Sequence, residues 1–151
     1  LIETSSRSTE LVVAIFGKVL GLDLQSGRQL WSCETDIQWY MVPSVVAHDG
    51  VVYCIGGRSG GALAVRAGGT GNVTATHRLW VGKKGSNVSS PVYHVYFTSR
   101  YGKTFVVAAR PKFELLAVND LEDGQLFHGS PAIADGRIYI RNNRSLYCLG
   151  E

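Results

Sequence analysis

A ten-residue stretch recurs three times along this chain of 151 residues, once in shortened form. It reads Ser44-Val45-Val46-Ala47-His48-Asp49-Gly50-Val51-Val52-Tyr53, then Ser90-Pro91-Val92-Tyr93-His94-Val95-Tyr96, then Ser130-Pro131-Ala132-Ile133-Ala134-Asp135-Gly136-Arg137-Ile138-Tyr139. The leading serines are 46 and 40 residues apart. That period suits one four-stranded blade of a β-propeller. A unit of this size cannot bury its own apolar face, so the chain must stack small sheets on one another. The fold is therefore expected to be all-β: a propeller of four-stranded antiparallel blades, about four per chain, completed to eight if two chains pair.

Helical periodicity is absent, whereas strand patterns fill the chain. The whole of 1–151 reads as one propeller or half-propeller domain, with blades over 1–35, 43–82, 89–120 and 129–150. Leu1–Thr4, Leu11–Phe16, Lys18–Asp23 and Gln29–Ser32 supply the first. Ser44–Ala47, Val51–Ile55, Ala62–Arg66 and Thr76–Val81 supply the second, with Gly56–Gly61 and Ala67–Asn72 as connectors. Asp49-Gly50 tolerates the positive φ of a type I′ turn. In the third, the strands are Ser90–Tyr93, Val95–Thr98, Thr104–Ala109 and Glu114–Val118. Its Asp-Gly turn is missing, so Tyr93-His94-Val95 cannot form the same hairpin. Either material has been lost from a longer ancestor, the favoured account, or the first two strands are rearranged. The fourth has only Ser130–Ala134, Arg137–Arg141 and Ser145–Leu149, around Asp135-Gly136. Its missing outer strand leaves an open edge, which invites pairing with another chain.

Composition bounds the function. The net charge of +3 is small and its lysines and arginines are scattered, which argues against nucleic acid. The longest uncharged stretch, near Ile37–Ala47, is too short and mixed to span a membrane. The start, Leu1-Ile2-Glu3-Thr4, reads like the inside of a strand, without a basic and then apolar leader, so a fragment or a processed chain is expected. Cys33, Cys54 and Cys148 sit in apolar strand patterns and read as buried free thiols, with a disulfide as the alternative.

The segment Gly21-Leu22-Asp23-Leu24-Gln25-Ser26-Gly27-Arg28-Gln29-Leu30-Trp31 resembles the tryptophan docking motif of the pyrroloquinoline-quinone-like (PQQ-like) repeat. Asp23 can accept from turn amides, Gly27 allows a left-handed turn, and Trp31 can pack flat between sheets. The Ser-Pro…Asp-Gly-x-Ile/Val-Tyr stretches look like the inner hairpin of the same repeat. Asp23, Gly27, Trp31, Asp49, Gly50, Asp135 and Gly136 are thus the structural repeat residues. Arg78-Leu79-Trp80 keeps only the tryptophan, and Lys112-Phe113-Glu114-Leu115-Leu116-Ala117 replaces the motif altogether. That superfamily includes quinoprotein alcohol dehydrogenases and non-enzymatic, BamB-like bacterial repeat proteins. The resemblance implies PQQ as a cofactor only in the enzymatic branch. It also implies a periplasmic or exported location, since relatives are often exported.

The residues favour the non-enzymatic branch. No adjacent cysteines and no Ca²⁺-type cluster of Asp, Glu and Asn are seen, so no catalytic, cofactor or metal residue is expected. The densest acidic patch, Asn119-Asp120 with Glu122-Asp123, reads as a solvated loop, a cation site being the alternative. His48 and His94 fall at equivalent repeat positions and read as rim residues. The sequons at Asn72, Asn87 and Asn143 read as chance matches, since the resemblance points to bacteria, where they would usually be silent. Trp39-Tyr40-Met41 reads as packing between blades, with Trp39 and Tyr40 as a ligand or partner surface in the alternative. Arg58, Arg100 and Arg141 each follow a second strand and could form a positive ring. The leading expectation is a protein-interaction or scaffold module whose partner is another protein or a second copy of itself. The alternatives are a fragment of a PQQ-dependent oxidoreductase and a carbohydrate- or small-ligand-binding propeller.

Overall fold

A computed structural model describes residues 1–4, 8–39, 41–58, 60–83, 90–91 and 96–150. The chain folds into four small sheets in sequence order. The first comprises β1 (Ile2–Glu3), β2 (Thr9–Ile15), β3 (Lys18–Asp23) and β4 (Gln29–Glu34), with a fifth strand, β8 (Gly71–Asn72), at its edge. The second comprises β5 (Val46–His48), β6 (Val51–Gly56), β7 (Gly61–Arg66) and β9 (Arg78–Gly82). The third is β10 (Tyr96–Thr98), β11 (Lys103–Val107) and β12 (Leu115–Asp120). The fourth is β13 (Ala132–Ala134), β14 (Arg137–Arg141) and β15 (Leu146–Leu149). All pairings are antiparallel meanders except β4 with β8, which is parallel.

Turn chemistry sets the hairpins. Asp49 and Gly50 have φ of 46° and 72°, and Asp135 and Gly136 have 50° and 72°. Two successive positive φ values define a type I′ turn, whose twist matches that of the flanking strands. The β3–β4 turn is closed from within. The Asp23 carboxylate accepts from the Ser26 amide at 2.7 Å and the Ser26 hydroxyl at 2.5 Å. Gly27 takes φ of 69° and donates its amide to the Asp23 carbonyl.

Period-2 alternation then builds the stack. Val52, Cys54, Leu63 and Val65 face the first sheet and pack with Val12, Val19, Trp31 and Cys33. Their alternates Val51, Tyr53, Ile55, Ala62 and Ala64 face the third sheet and pack with Phe97, Phe105 and Val107. The second sheet is therefore buried on both sides, and every residue of β6 is buried. Between the third and fourth sheets the filler is Phe127. It stacks on Tyr147 at 6.2 Å, sits over Gly102, and donates its amide to the Arg100 carbonyl.

Register shifts recur at one place. Gly21 pairs with Trp31, Ala64 with Trp80, and Val106 with Ala117, and in each sheet the ladder then skips one residue. Trp80 therefore holds the docking position although Asp and Gly are missing from its motif. Ala117 holds it in the third sheet. The inner hairpins are joined as well: the Ser44 amide donates to the Ser90 hydroxyl at 2.8 Å, and the Ser90 amide to the Ser130 hydroxyl at 2.9 Å.

Several expectations need correcting. Residues 74–77 form a short helix, α1 (Thr74–His77), where a strand from Thr76 was expected. The Asn72 side chain accepts from the Thr74 amide and hydroxyl, and the Val73 carbonyl takes the amides of Thr76 and His77. Local side-chain capture of the backbone thus outcompetes the strand. Part of the expected 67–72 connector is β8, which crosses back to β4. Asn119 and Asp120 end β12 instead of lying in a loop, because they pair with Thr104 and Lys103. Cys148 is exposed, on the outer strand of the last described sheet. Ser90 and Pro91 lie outside any strand. Val92 to Val95, where the shortened hairpin falls, lie outside the described residues.

Candidate functional site

The sheets share one strand order, so their second-to-third-strand connections fall at one end of the stack. That end carries Arg58, Arg100 and Arg141. Gly57 and Gly61 lie against Ile37 and Gln38, which brings the Arg58 loop beside the chain entering the second sheet. The Arg58 guanidinium stands 5.5 Å from the Trp39 ring centroid. Trp39 is 60% exposed, with φ of 82°, and so is not packed between sheets as the favoured expectation had it. The backbone turns the indole outward, while Met41 takes the inward place against the first core. Tyr40 lies outside the described residues. Arg100 stands 5.9 Å over the exposed ring of Tyr101. Arg141 lines a cleft of about 280 Å³ with Leu126, His128, Gly129 and two asparagines, Asn142 and Asn143. The three arginines thus stand on three different sheets, Arg58 and Arg100 each over a neighbouring aromatic ring and Arg141 at a cleft.

The acidic patch is dispersed. Lys103 lies 3.7 Å from Asp120. Asp123 accepts from Tyr147, from the Gln125 amide and from Asn142, and these bonds, Tyr147 first, hold its carboxyl below the ordinary range. The same contact pushes the Tyr147 phenol up. Asp123 therefore fastens the fourth sheet to the 121–131 connection. His48 ends β5 with Nε2 3.2 Å from the Asp49 carboxylate, and His94 lies outside the described residues. Among the described residues no three His, Cys, Asp or Glu side chains are grouped to hold a metal ion. No described helix is long and apolar enough to cross a membrane.

The repeat residues sit inside the fold. Trp31 is fully buried, and its indole N–H donates to the Glu10 carboxylate at 2.7 Å. Its ring covers Gly21 so closely that a Cβ there would come within 2.1 Å of it.

The feature missed in the sequence lies where the docking motif fails. Val81, Lys83, Phe97, Phe105, Phe113 and Leu115 line a groove of about 340 Å³ between β9 and the third sheet. Phe113 meets Trp80 edge-on at 5.1 Å. Beyond the groove, β12 is an edge strand among the described residues, with Leu115, Leu116 and Val118 exposed by 40, 57 and 46%. The loss of Asp, Gly and Trp from residues 112–117 signalled this. Without the tryptophan, an outer strand rich in leucine has no large ring to seat.

Four stacked, mainly antiparallel sheets, three of them with the same register shift and two with the same Asp-Gly hairpin, define a partial β-propeller. Among solved structures, the chain is similar to the crystal structure of BamB from Moraxella catarrhalis, with a TM-score of 0.76 and 14% identity over 97% of this chain and 44% of that one. It thus spans less than half the length of that protein, and the likeness is one of fold. No protein-family model and no curated protein sequence matches the chain.

Proposed function

We propose that this partial propeller is a protein-interaction module that binds an extended polypeptide segment along β12. One observation carries the reading: an edge strand with three large apolar side chains exposed, beside an apolar groove. Edge strands offer unpaired amides and carbonyls, so a partner strand gains ladder hydrogen bonds while alternate side chains enter the groove. Lys83 at the groove and Lys112 beside Phe113 favour a segment with acidic flanks.

The test is fluorescence anisotropy with a labelled peptide of alternating valine and threonine flanked by glutamates. Saturable binding that Leu116→Lys and Val118→Lys abolish is expected. Binding that survives both changes, or none at all, overturns the reading.

The exposed Trp39 beneath Arg58 favours a second reading, a rim that binds carbohydrate or another small ligand. Tryptophan fluorescence against a glycan panel, compared with Trp39→Ala, decides it: a response confined to the parent chain supports the rim, and no response removes it.

A further inference from the structure

We propose that the arginine-bearing end of the stack binds an acidic polysaccharide, a chain of uronate sugars laid across the second, third and fourth sheets. The proposal rests on the reading of Trp39 and Arg58 as a carbohydrate rim, and adds the class of sugar and the path of the chain.

One pairing is built twice, on neighbouring sheets. In the second sheet Arg58 stands 5.5 Å from the centroid of the Trp39 ring, and in the third Arg100 stands 5.9 Å from that of Tyr101. Trp39 is 60% exposed and Tyr101 71%, so both rings lie outside the two cores. Trp39 also holds a φ of 82°, which a bulky residue adopts only where its surroundings impose it. The imposing neighbours are next to it: Ile37 is buried against Gly57 and Gly61, and the Gln38 carbonyl lies over Gly57. The backbone therefore sets the indole in water.

An open aromatic ring offers a flat apolar surface on which the C–H face of a sugar packs. The guanidinium beside it presents planar N–H donors that take a carboxylate bidentate. A uronate uses both members of the pair, its ring on the aromatic and its acid on the arginine. A neutral sugar uses only the first.

The fourth sheet adds a third position. The Phe127 amide donates to the Arg100 carbonyl at 2.9 Å, which fixes the 126–129 segment beside the Arg100 turn. That segment and Arg141 wall the cleft of about 280 Å³. Leu126 gives it an apolar side, and the exposed Arg141, His128 and Asn143 give it donors for a carboxylate and hydroxyls. Asn142 is committed to Asp123 and to the amides of Arg144 and Ser145.

The charge at this end suits an anion. Lys18, Arg58, Lys83, Arg100, Lys103, Arg141 and Arg144 stand there with Glu34, Asp36, Asp120, Glu122 and Asp123. Three of those carboxylates are held within the chain: Asp36 by Arg78 and Asp120 by Lys103, each at 3.7 Å, and Asp123 by Tyr147. Packed sheets lie about 10 Å apart, so the three positions spread over roughly 20 Å, and only a polymer touches them all. A nucleic-acid strand would call for a continuous basic groove along its phosphates. Here two of the three cations have a ring of their own, the pattern of one charge per sugar.

Isothermal titration with polygalacturonate, its fully methyl-esterified neutral form and monomeric galacturonate tests this. Saturable binding of the acid polymer is expected, at least about tenfold weaker for the ester, which loses the charge-assisted bonds to the arginines. The monomer, which engages one position at a time, is expected to bind about a hundredfold more weakly. Arg58→Gln, Arg100→Gln and Arg141→Gln should each weaken the polymer about tenfold. All three positions are exposed, so the variants are expected to fold, which circular dichroism checks. Equal binding of acid and ester, a monomer as tight as the polymer, an arginine change without effect, or tighter binding of single-stranded oligo-dT overturns the proposal. A neutral glycan that binds the parent and not Trp39→Ala, with no preference for the acid polymer, sinks the uronate proposal and spares the rim reading.

Discussion

The backbone amide of Ser44 donates to the side-chain oxygen of Ser90, 46 residues away, at 2.8 Å. Ser90 does the same to Ser130 at 2.9 Å, so the first residue of each repeat is stitched to the first residue of the next. The repeated serine is thus a joint between sheets, which its place ahead of a strand does not reveal. Replacing Ser90 by alanine removes the acceptor for Ser44 and is expected to cost about 1 kcal/mol. Ser130→Ala should cost the same, and the double change should be close to additive. Urea unfolding followed by fluorescence checks this.

Gly21 is held to glycine by Trp31. A Cβ there would stand 2.1 Å from two atoms of the indole, and the ring is walled in by the second sheet. Gly21→Ala is expected to destabilise by roughly 3 kcal/mol, the upper end of the cost of overpacking, and to red-shift tryptophan emission. Glu10→Leu should also be costly, about 1–3 kcal/mol, because it leaves the buried indole N–H without its acceptor. Glu10→Gln keeps an acceptor and should lose less.

The contact of Asp123 with Tyr147 sets a pH window. The Asp123 carboxyl is held below its ordinary value by Tyr147, Gln125 and Asn142, so its contribution is present above about pH 4 and is lost as pH falls through the lowered folded value. The Tyr147 phenol is raised above 10.0 by the same carboxylate, so its contribution is present below that pH and is lost as pH rises through the raised folded value. Tyr147→Phe should therefore lower the melting temperature at pH 7. At pH 2 the difference from the parent should shrink. An equal difference at both pH values removes the account.

The cysteines should separate by reactivity. Burial raises the Cys33 thiol, and burial with neighbouring Cys33 pushes Cys54 up to about 12. The thiolate is the reactive form, so both should resist alkylation in the folded chain, while exposed Cys148 reacts. One modified cysteine in native buffer and three in denaturant are expected by mass spectrometry.

The sheet stack was legible because its signals are local. Asp49-Gly50 and Asp135-Gly136 announce type I′ turns through residues that tolerate positive φ, and Asp23-x-x-x-Gly27 announces the outer turn. The register shift that seats Trp80 was not legible, because pairing with Ala64 depends on a strand sixteen residues earlier. The helix at Thr74–His77 was hidden by a valine- and threonine-rich sequence whose strand propensity yields to hydrogen bonds from Thr74 that the Asn72 side chain accepts. The β12 groove was missed for a related reason: Phe113 and Leu115 look like core residues until the third sheet proves to have no further strand outside them among the described residues.

The sequence by itself determined that the chain is all-β, that it repeats, and where its hairpins turn, since turn chemistry and period-2 alternation act within a few residues. Only the tertiary structure decided which faces are covered. Leu11 and Val52 stand in equivalent register in similar strands, yet one is exposed and the other buried, because burial belongs to the neighbouring sheet and not to the strand that carries the side chain.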